Sequence, residues 1–588
     1  MRVAHPWRWA VSGVVLIALL VVAYAAWRAH QVSSELSAAT DDAARLQDAV
    51  ERGDSAAMDR ALDDLRAHST AARDHTAGWD WSLATHLPAY GDDARGVRLA
   101  SRVVADLSES GLSDLAHSAN ELTSVVPKKG RVDVDAVAGL ADGVDSAADA
   151  LAEARTQLAT QDPVGFVGPL KRKFRDLESR VDSAASTMST ARTAVAVLPE
   201  MLGADGPRDY LFVFQNNAEI RATGGLPGAV SLLHAQNGRI TMPLQVPGSD
   251  IETPTTSVVP LTAAERDIYG DQIGTYFLDA NVTPDFPRVA QIWKAGWESA
   301  GLGGKSSDID GVVTMDPVVL SYLLAATGPV TVDGVTLTGD NAVDYLLHDV
   351  YVKTPDPTKQ DAFFRDVAKS VFERVAGGTS SPQALIKAFA KGAVEHRLLI
   401  HDFDDAVQKR LDGTPVAGQL ATTATSDPQV SFTLDDSTMS KMSYYLRYDV
   451  AVRSTYCTNG VQGLTGSATL SSRLDEDQVA GLSSYILGGY RDYQIPKGSQ
   501  LVSIYIHGPI GGSVGHVQQD GKPDDSAWVS KEHGRPVVQT YAILAPGQTV
   551  DLTWQMKSGK GQTGATDVNV TPGIEPGSTS STTPSSCG

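Results

Sequence analysis

The apolar residues of this chain change their spacing once, near residue 200, and that change constrains the fold more than any other feature. Over 31–200 they recur at alternating threes and fours, as in Val137, Leu140, Val144, Ala147 and Leu151, or in Leu170, Phe174, Leu177, Val181, Ala184 and Met188. Such a stripe turns one narrow face of each helix toward a neighbour. The same 170 residues hold 33 alanines and only five aromatics, so the facing surfaces are small and the helices approach closely. Breaks at Gly53-Asp54, 86–91, 127–130 and 162–169 divide the region. An α-helical bundle or coiled-coil spacer over 31–200 follows.

Beyond residue 201 the pattern becomes mixed. Residues 209–215 read as a buried strand, and Asn237-Gly238 closes a hairpin between two further strands. Thr283, Asp316 and Ser381 each precede a proline, the combination of a capping side chain with a first-turn proline that opens a helix. A central α/β (α+β) domain over 205–412 is expected. After 428 the segments 446–454, 500–507 and 548–555 alternate or run β-branched between turns, which predicts a β-sandwich-like module over 428–571. The Ser/Thr/Pro/Gly composition of 572–588 predicts a disordered tail.

At the N-terminus, residues 9–27 (WAVSGVVLIALLVVAYAAW) run 19 positions without a charge, with a tryptophan at each end. The length matches the roughly 20 residues a helix needs to cross a bilayer core. A transmembrane helix over 9–27 is therefore expected, with 1–8 as a cytoplasmic tail carrying Arg2 and Arg8. This makes the protein a single-pass protein of the cell membrane with the bulk of the chain extracytoplasmic. The alternative is a cleaved signal peptide, because Ala23-Tyr24-Ala25 fits a small-x-small cleavage site.

Composition excludes some partners. The 588 residues carry a formal charge of −21. Nucleic acid is disfavoured, since phosphate backbones are bound by clustered Lys and Arg. The two cysteines, Cys457 and Cys587, remove multi-cysteine zinc and iron–sulfur sites. They form one disulfide or remain two thiols; a bridge contributes roughly 4 kcal/mol by constraining the unfolded chain.

The most distinctive local sequence is 215–228, QNNAEIRATGGLPG. Asn216, Asn217, Glu219 and Arg221 follow a hydrophobic strand and precede Gly224 and Gly225. Paired glycines admit a close backbone approach, and an arginine fork suits carboxylate or phosphate, so the loop is a candidate for an anionic headgroup or pyrophosphate. The alternative is a loop whose polar side chains satisfy its own backbone while Arg221 pairs locally. No Gly-Lys-Ser/Thr follows, so it is not a Walker loop.

The run 209–225, DYLFVFQNNAEIRATGG, resembles the signature of a bacterial envelope family known as domain of unknown function 4012. FLDANVTPDFP at 277–287, DGVVTMDP at 310–317, TGPV at 327–330 and LTGDN at 337–341 extend the likeness over 205–412. The resemblance implies a membrane-tethered extracytoplasmic protein without assigning a reaction. A second likeness, to the LytR-CpsA-Psr glycopolymer transferases, is carried by Gly328-Pro329-Val330, Asp333-Gly334, residues 337–347, Asp361 and Arg365. It implies transfer from a polyprenyl-pyrophosphate lipid, with Arg221 and Arg365 around the pyrophosphate and Mg²⁺ neutralising charge. Where that family has a paired-arginine strand, this chain has Leu346, Leu347 and His348.

Asp279, Asn281 and Asp285 offer oxygen ligands for Mg²⁺ or Ca²⁺, or alternatively cap a helix near Thr283-Pro284. Asp310 and Asp316 border a short strand and a helix start. There is no His-Glu-x-x-His and no Gly-x-Ser-x-Gly. Residues 508–515 read as a hairpin loop with His507 and His516 on its surface. The leading reading is a binding or scaffolding role in envelope or surface-polymer assembly, toward an envelope glycan, a lipid-linked polymer or an envelope protein. A phosphotransferase and a purely structural stalk are the alternatives. Convergence of Arg221, Arg365 and one of Asp279, Asp310 or Asp316 in one pocket separates them.

Overall fold

The computed structural model describes residues 6–587 apart from 53, 89, 111–124, 305–307, 380, 489–494 and 578, with the backbone alone at 6–23, 25, 26, 50 and 51. The chain forms two compact units, Met1–Val125 with Asp135–Ala196, and Val126–Val134 with Val197–Gly588. Helices α1 (Pro6–Arg52), α2 (Ser55–Ala77), α3 (Gly91–Glu109) and α4 (Ala141–Ala159) and most of α5 (Gly168–Met201) build the first. Small side chains of α1, Ala39 and Ala49, meet Met58, Ala61, Leu62 and Leu65 of α2. Leu158 of α4 joins Val103 of α3 and Phe174 and Val181 of α5 in a second cluster. Asp54 caps α2 by accepting the Ala57 N–H.

The expected transmembrane helix over 9–27 is overturned, and with it the single-pass anchor and the placement of the chain across a membrane. Among the described residues no helix is long and apolar enough to cross a membrane. The uncharged run is not a helix of its own. It is the first part of the 47-residue α1, which continues through Arg28, Glu35, Asp41 and Asp42 and packs on α2. The side chains of 9–23, 25 and 26 lie outside the described residues, as do 1–5 of the expected cytoplasmic tail.

The second unit is mixed α+β. Strands β1 (Arg208–Asn216), β2 (Leu226–Gln236), β3 (Arg239–Pro247), β4 (Gly311–Met315) and β5 (Leu399–Asp402) form a sheet in the order β3-β2-β1-β4-β5. Strand β1 runs antiparallel to β2 and parallel to β4. The β2–β3 hairpin turns at Asn237 and Gly238, with φ of 48° and 77°, the left-handed pair such turns favour. Alternation along β1 divides its faces. Leu211 and Val213 pack with Val289, Trp293 and Trp297 of α6 (Phe286–Ser299). Phe214 packs with Leu320 and Leu324 of α7 (Pro317–Thr327) and with Phe363 and Val367 of α8 (Pro357–Ala376). Asp316 caps α7 through the Val319 N–H, whereas α6 starts at Phe286 with Asp285, not Thr283, in the cap position.

Two further sheets follow. One orders β11 (Trp528–Glu532), β12 (Arg535–Leu544), β9 (Gln500–His507), β6 (Gln429–Asp436), β14 (Thr566–Val570) and β15 (Ser580–Thr583). The other orders Lys522–Pro523, β10 (Ser513–Gln519), β13 (Thr549–Lys557), β8 (Val461–Ser472) and β7 (Leu446–Thr458). Their shared core includes Phe432, Ile504 and Trp554, the Phe432 and Trp554 rings stacking at 5.4 Å. Strand β6 is buried on both faces, and Tyr505 on the adjacent β9 and Val537 on β12 beyond it pack into the α6 core. The first sheet and the sandwich therefore share one compact unit.

The C-terminal end departs from the expected disordered tail. Its polar residues find backbone partners: β15 pairs with β14, and β14 lies parallel to β6. Arg397 donates to the carbonyls of Gly573 and Glu575, and Cys457 and Cys587 are bonded. His507 is likewise not a surface residue of its loop. It is fully buried and shares Tyr269 with Glu532, so the strand-end imidazole serves as an internal hydrogen-bond partner. We expect Cys457→Ser to lower the unfolding free energy by up to about 4 kcal/mol, read by denaturant titration against the oxidised parent. Reductant should bring the parent to the same midpoint.

Candidate functional site

Residues 217–225 join β1 to β2 and reach across to the sandwich. The Ala222 N–H donates to Asp435, the Asp436 N–H to the Ile220 carbonyl, and the Ser443 N–H to the Ala218 carbonyl. Asn281 donates to Gln215, Thr223 and the Gly225 carbonyl at 2.9–3.1 Å. Gly225 is required by space. A Cβ there would lie 2.3 Å from the carbonyl carbon of Asn216. Gly225 thus serves a backbone-on-backbone approach within the loop, whereas Gly224 supplies a φ of 135° that favours glycine.

A buried ionic ladder crosses the same junction. Lys441 bonds Glu219, Glu219 bonds Arg221 at 3.3 Å, and Arg221 reaches Asp279 at 3.2 Å. Arg221 also donates to the carbonyls of Ile220 and Asp436. Burial opposes the Glu219 carboxylate, but Lys441 and Arg221 outweigh it and hold its pKa below the ordinary value. Burial likewise opposes the Lys441 ammonium, and Glu219 reverses the shift and raises it. The two charges fix one another.

Beside the ladder lies a cavity of about 430 Å³, within the size range of small-molecule sites. Its carboxyl groups are Glu219, Asp279, Asp361, Asp435 and Asp436; its cations are Arg221 and Lys441, so three carboxyls are in excess. Tyr276, Tyr351, Tyr485, Tyr505, Phe214 and Phe364 supply aromatic walls. Burial pushes Asp435 well above the carboxylate range, with Arg221 opposing only in part. Burial also raises Asp361, reinforced by Asp250.

The residues singled out by sequence are distributed unevenly around this cavity. Asn216, Glu219, Arg221 and Asp279 line it, with Asn216 donating to the Tyr351 hydroxyl. Asn217 is buried against Asp316 and the Gly224 and Pro572 carbonyls. Arg365 is exposed on α8, at a shallow neighbouring cleft with Asp361. Asp310 pairs with Arg208, and Asp316 pairs with Arg397. The convergence required of a phosphotransferase is therefore incomplete, and Arg221 is committed to protein acceptors. A pyrophosphate at this loop would find Arg221 and Lys441 already bonded to Asp279 and Glu219.

Asp279, Asn281 and Asp285 do not form one ligand set. Asp279 faces Arg221, Asn281 fastens the loop, and Asp285 accepts the Leu420 N–H. Among the described residues no group of three or more His, Cys, Asp or Glu side chains is placed to hold a metal ion.

Residues 205–351 match the family model described as "Protein of unknown function (DUF4012)". This stretch is a DUF4012 segment. It ends before α8, short of the 205–412 over which the resemblance was drawn. No curated protein and no solved structure matches the chain. Several cavity residues lie outside the DUF4012 segment: Asp361, Phe364, Asp435, Asp436, Lys441, Tyr485 and Tyr505. Of these, Asp361 stood out in sequence through the LytR-CpsA-Psr likeness, and the others did not. The one available signal was Asp435-Asp436, two carboxylates ending the buried strand VSFTL at 430–434.

Two measurements test this electrostatic assignment. Replacing Lys441 with Met leaves Glu219 with one partner in a buried setting and should cost about 3 kcal/mol in denaturant unfolding; adding Glu219→Gln should recover part of that loss. Burial raises Asp285 from its ordinary 3.8 to about 6. The folded state thus holds a proton that the unfolded state releases, and stability falls as pH rises from about 4 to 6. Asp285→Asn should stabilise by about 3 kcal/mol at pH 8 and by almost nothing at pH 3.5.

Proposed function

We propose that this protein is a binding module that takes a sugar unit of an envelope or surface polymer into the cavity between the DUF4012 segment and the sandwich. The observation that carries this reading is the lining: aromatic faces interleaved with carboxyl and amide groups, around a cavity whose two cations already have protein partners. Sugar rings present C–H faces that pack on tyrosine and phenylalanine, and hydroxyls that donate to carboxylates and amide carbonyls. Gln272, Gln360 and Asn216 add neutral polar groups to the same wall. The ladder supports a scaffolding component, since the groups that shape the cavity are the groups that join the two sheet systems.

Tyr485 is the residue of choice for a test, being 44% exposed and so removable without opening the core. With the full chain and a panel of envelope-type oligosaccharides in isothermal titration calorimetry, Tyr485→Ala should weaken binding at least tenfold while the melting temperature falls only by the few degrees that loss of the Lys441–ring contact costs. Equal affinity of parent and variant for every bound glycan would take the cavity out of the reading.

A further inference from the structure

Five carboxyl groups line the cavity around two committed cations; Asp436 is satisfied by the Thr438 and Ser440 N–H groups and the Ser440 hydroxyl, which leaves Asp279, Asp361 and Asp435 as the acceptors a ligand can reach. Asp435 shows this most directly. Its side chain belongs to a residue only 4% exposed, one oxygen accepts the Ala222 N–H, and the other, Oδ2, has no hydrogen-bond partner. A buried oxygen of this kind costs free energy unless a donor arrives or a proton stays on it. Asp279 gives Oδ1 to Arg221 and remains partly open, with 27% of its side chain exposed. Asp361, on α8, faces the same space from the opposite element.

The protein already shows what satisfies such a lining. The Lys441 ammonium bonds Glu219 and lies over the rings of Tyr351 and Tyr485, 5.7 and 5.5 Å from their centroids. An ammonium between carboxylate and aromatic faces gains from both ion pairing and the ring quadrupole. Tyr276, Tyr505 and Phe364, together with Asp279, Asp361 and Asp435, repeat that combination around the open volume, where among the described lining residues the two cations, Arg221 and Lys441, are already bonded to Asp279 and Glu219.

We infer that the cavity selects a ligand bearing a protonated amine, and that within the sugar-binding reading, on which this inference rests, the preferred unit is an amino sugar with a free rather than an acetylated amine. The ammonium occupies the space between Asp279 and Asp361 and faces Asp435. Acetylation removes the charge and adds bulk, so it removes the interaction that the carboxyl excess supplies.

The test compares the glucosamine disaccharide with its di-N-acetylated form in calorimetric titrations of the full chain, at a pH where the free amine is protonated. The free-amine disaccharide should bind at least tenfold more tightly, and raising the salt concentration should shrink that preference. Asp361→Asn, on a half-exposed helical position, should abolish the preference while leaving the melting temperature unchanged; Asp279→Asn should act in the same direction. Equal or tighter binding of the acetylated form, still sensitive to Tyr485→Ala, would overturn the amine selectivity and leave the sugar-binding reading in place. Absence of binding by either disaccharide and by the wider glycan panel would overturn both.

Discussion

The Lys441–Glu219–Arg221–Asp279 ladder is the interaction on which the larger unit depends. It links three segments that are distant in sequence: the loop after β1, the turn before α6 and the segment that follows β6. Charges taken out of water are costly, and each of these survives burial only because its neighbour carries the opposite sign at hydrogen-bond distance. The backbone contacts of residues 218–222 fix where the ladder can form. In turn, the ladder prevents the loop from relaxing into another conformation, since any such movement would strand a buried charge.

A cavity beside such a ladder inherits its constraints. The cations that would ordinarily bind phosphate are occupied, and what remains accessible is acidic and aromatic. This is why the sugar-binding reading is preferred to a pyrophosphate-handling one even though part of the sequence order resembles the latter. The arginine that looked most available in sequence, Arg221, is among the most heavily bonded groups in the unit. Arg365, the other arginine of that comparison, remains on a helix surface.

How much of this was legible in the sequence depends on whether the controlling interactions were local. The Asn237-Gly238 turn and the Asp316-Pro317 helix start were readable because a few neighbouring atoms decide them. Helical spacing before residue 200 was readable for the same reason. The hydrophobic run at 9–27 was locally persuasive, but the helix containing it extends well past the apolar stretch, and window composition says nothing about how far a helix continues. Glu219 and Arg221 were recognisable as unusual, yet their partners Lys441 and Asp279 lie 222 and 58 positions away. Polarity at 572–588 suggested disorder because the receiving groups, Arg397 and the edge of β14, are invisible from within the segment.

The return of the chain end to β6 has a consequence for the order in which the molecule can be completed. Val568 lies beside Val430, so the strand that runs through the middle of the finished sheet is synthesised more than a hundred residues before one of its two neighbours. Arg397 likewise waits for the carbonyls of Gly573 and Glu575. A chain leaving the ribosome N-terminus first therefore carries an open strand edge and an unsheltered arginine through most of its synthesis. Residues 566–583 close the unit, and until they arrive the loop beside the cavity lacks its contacts with Thr571 and Pro572.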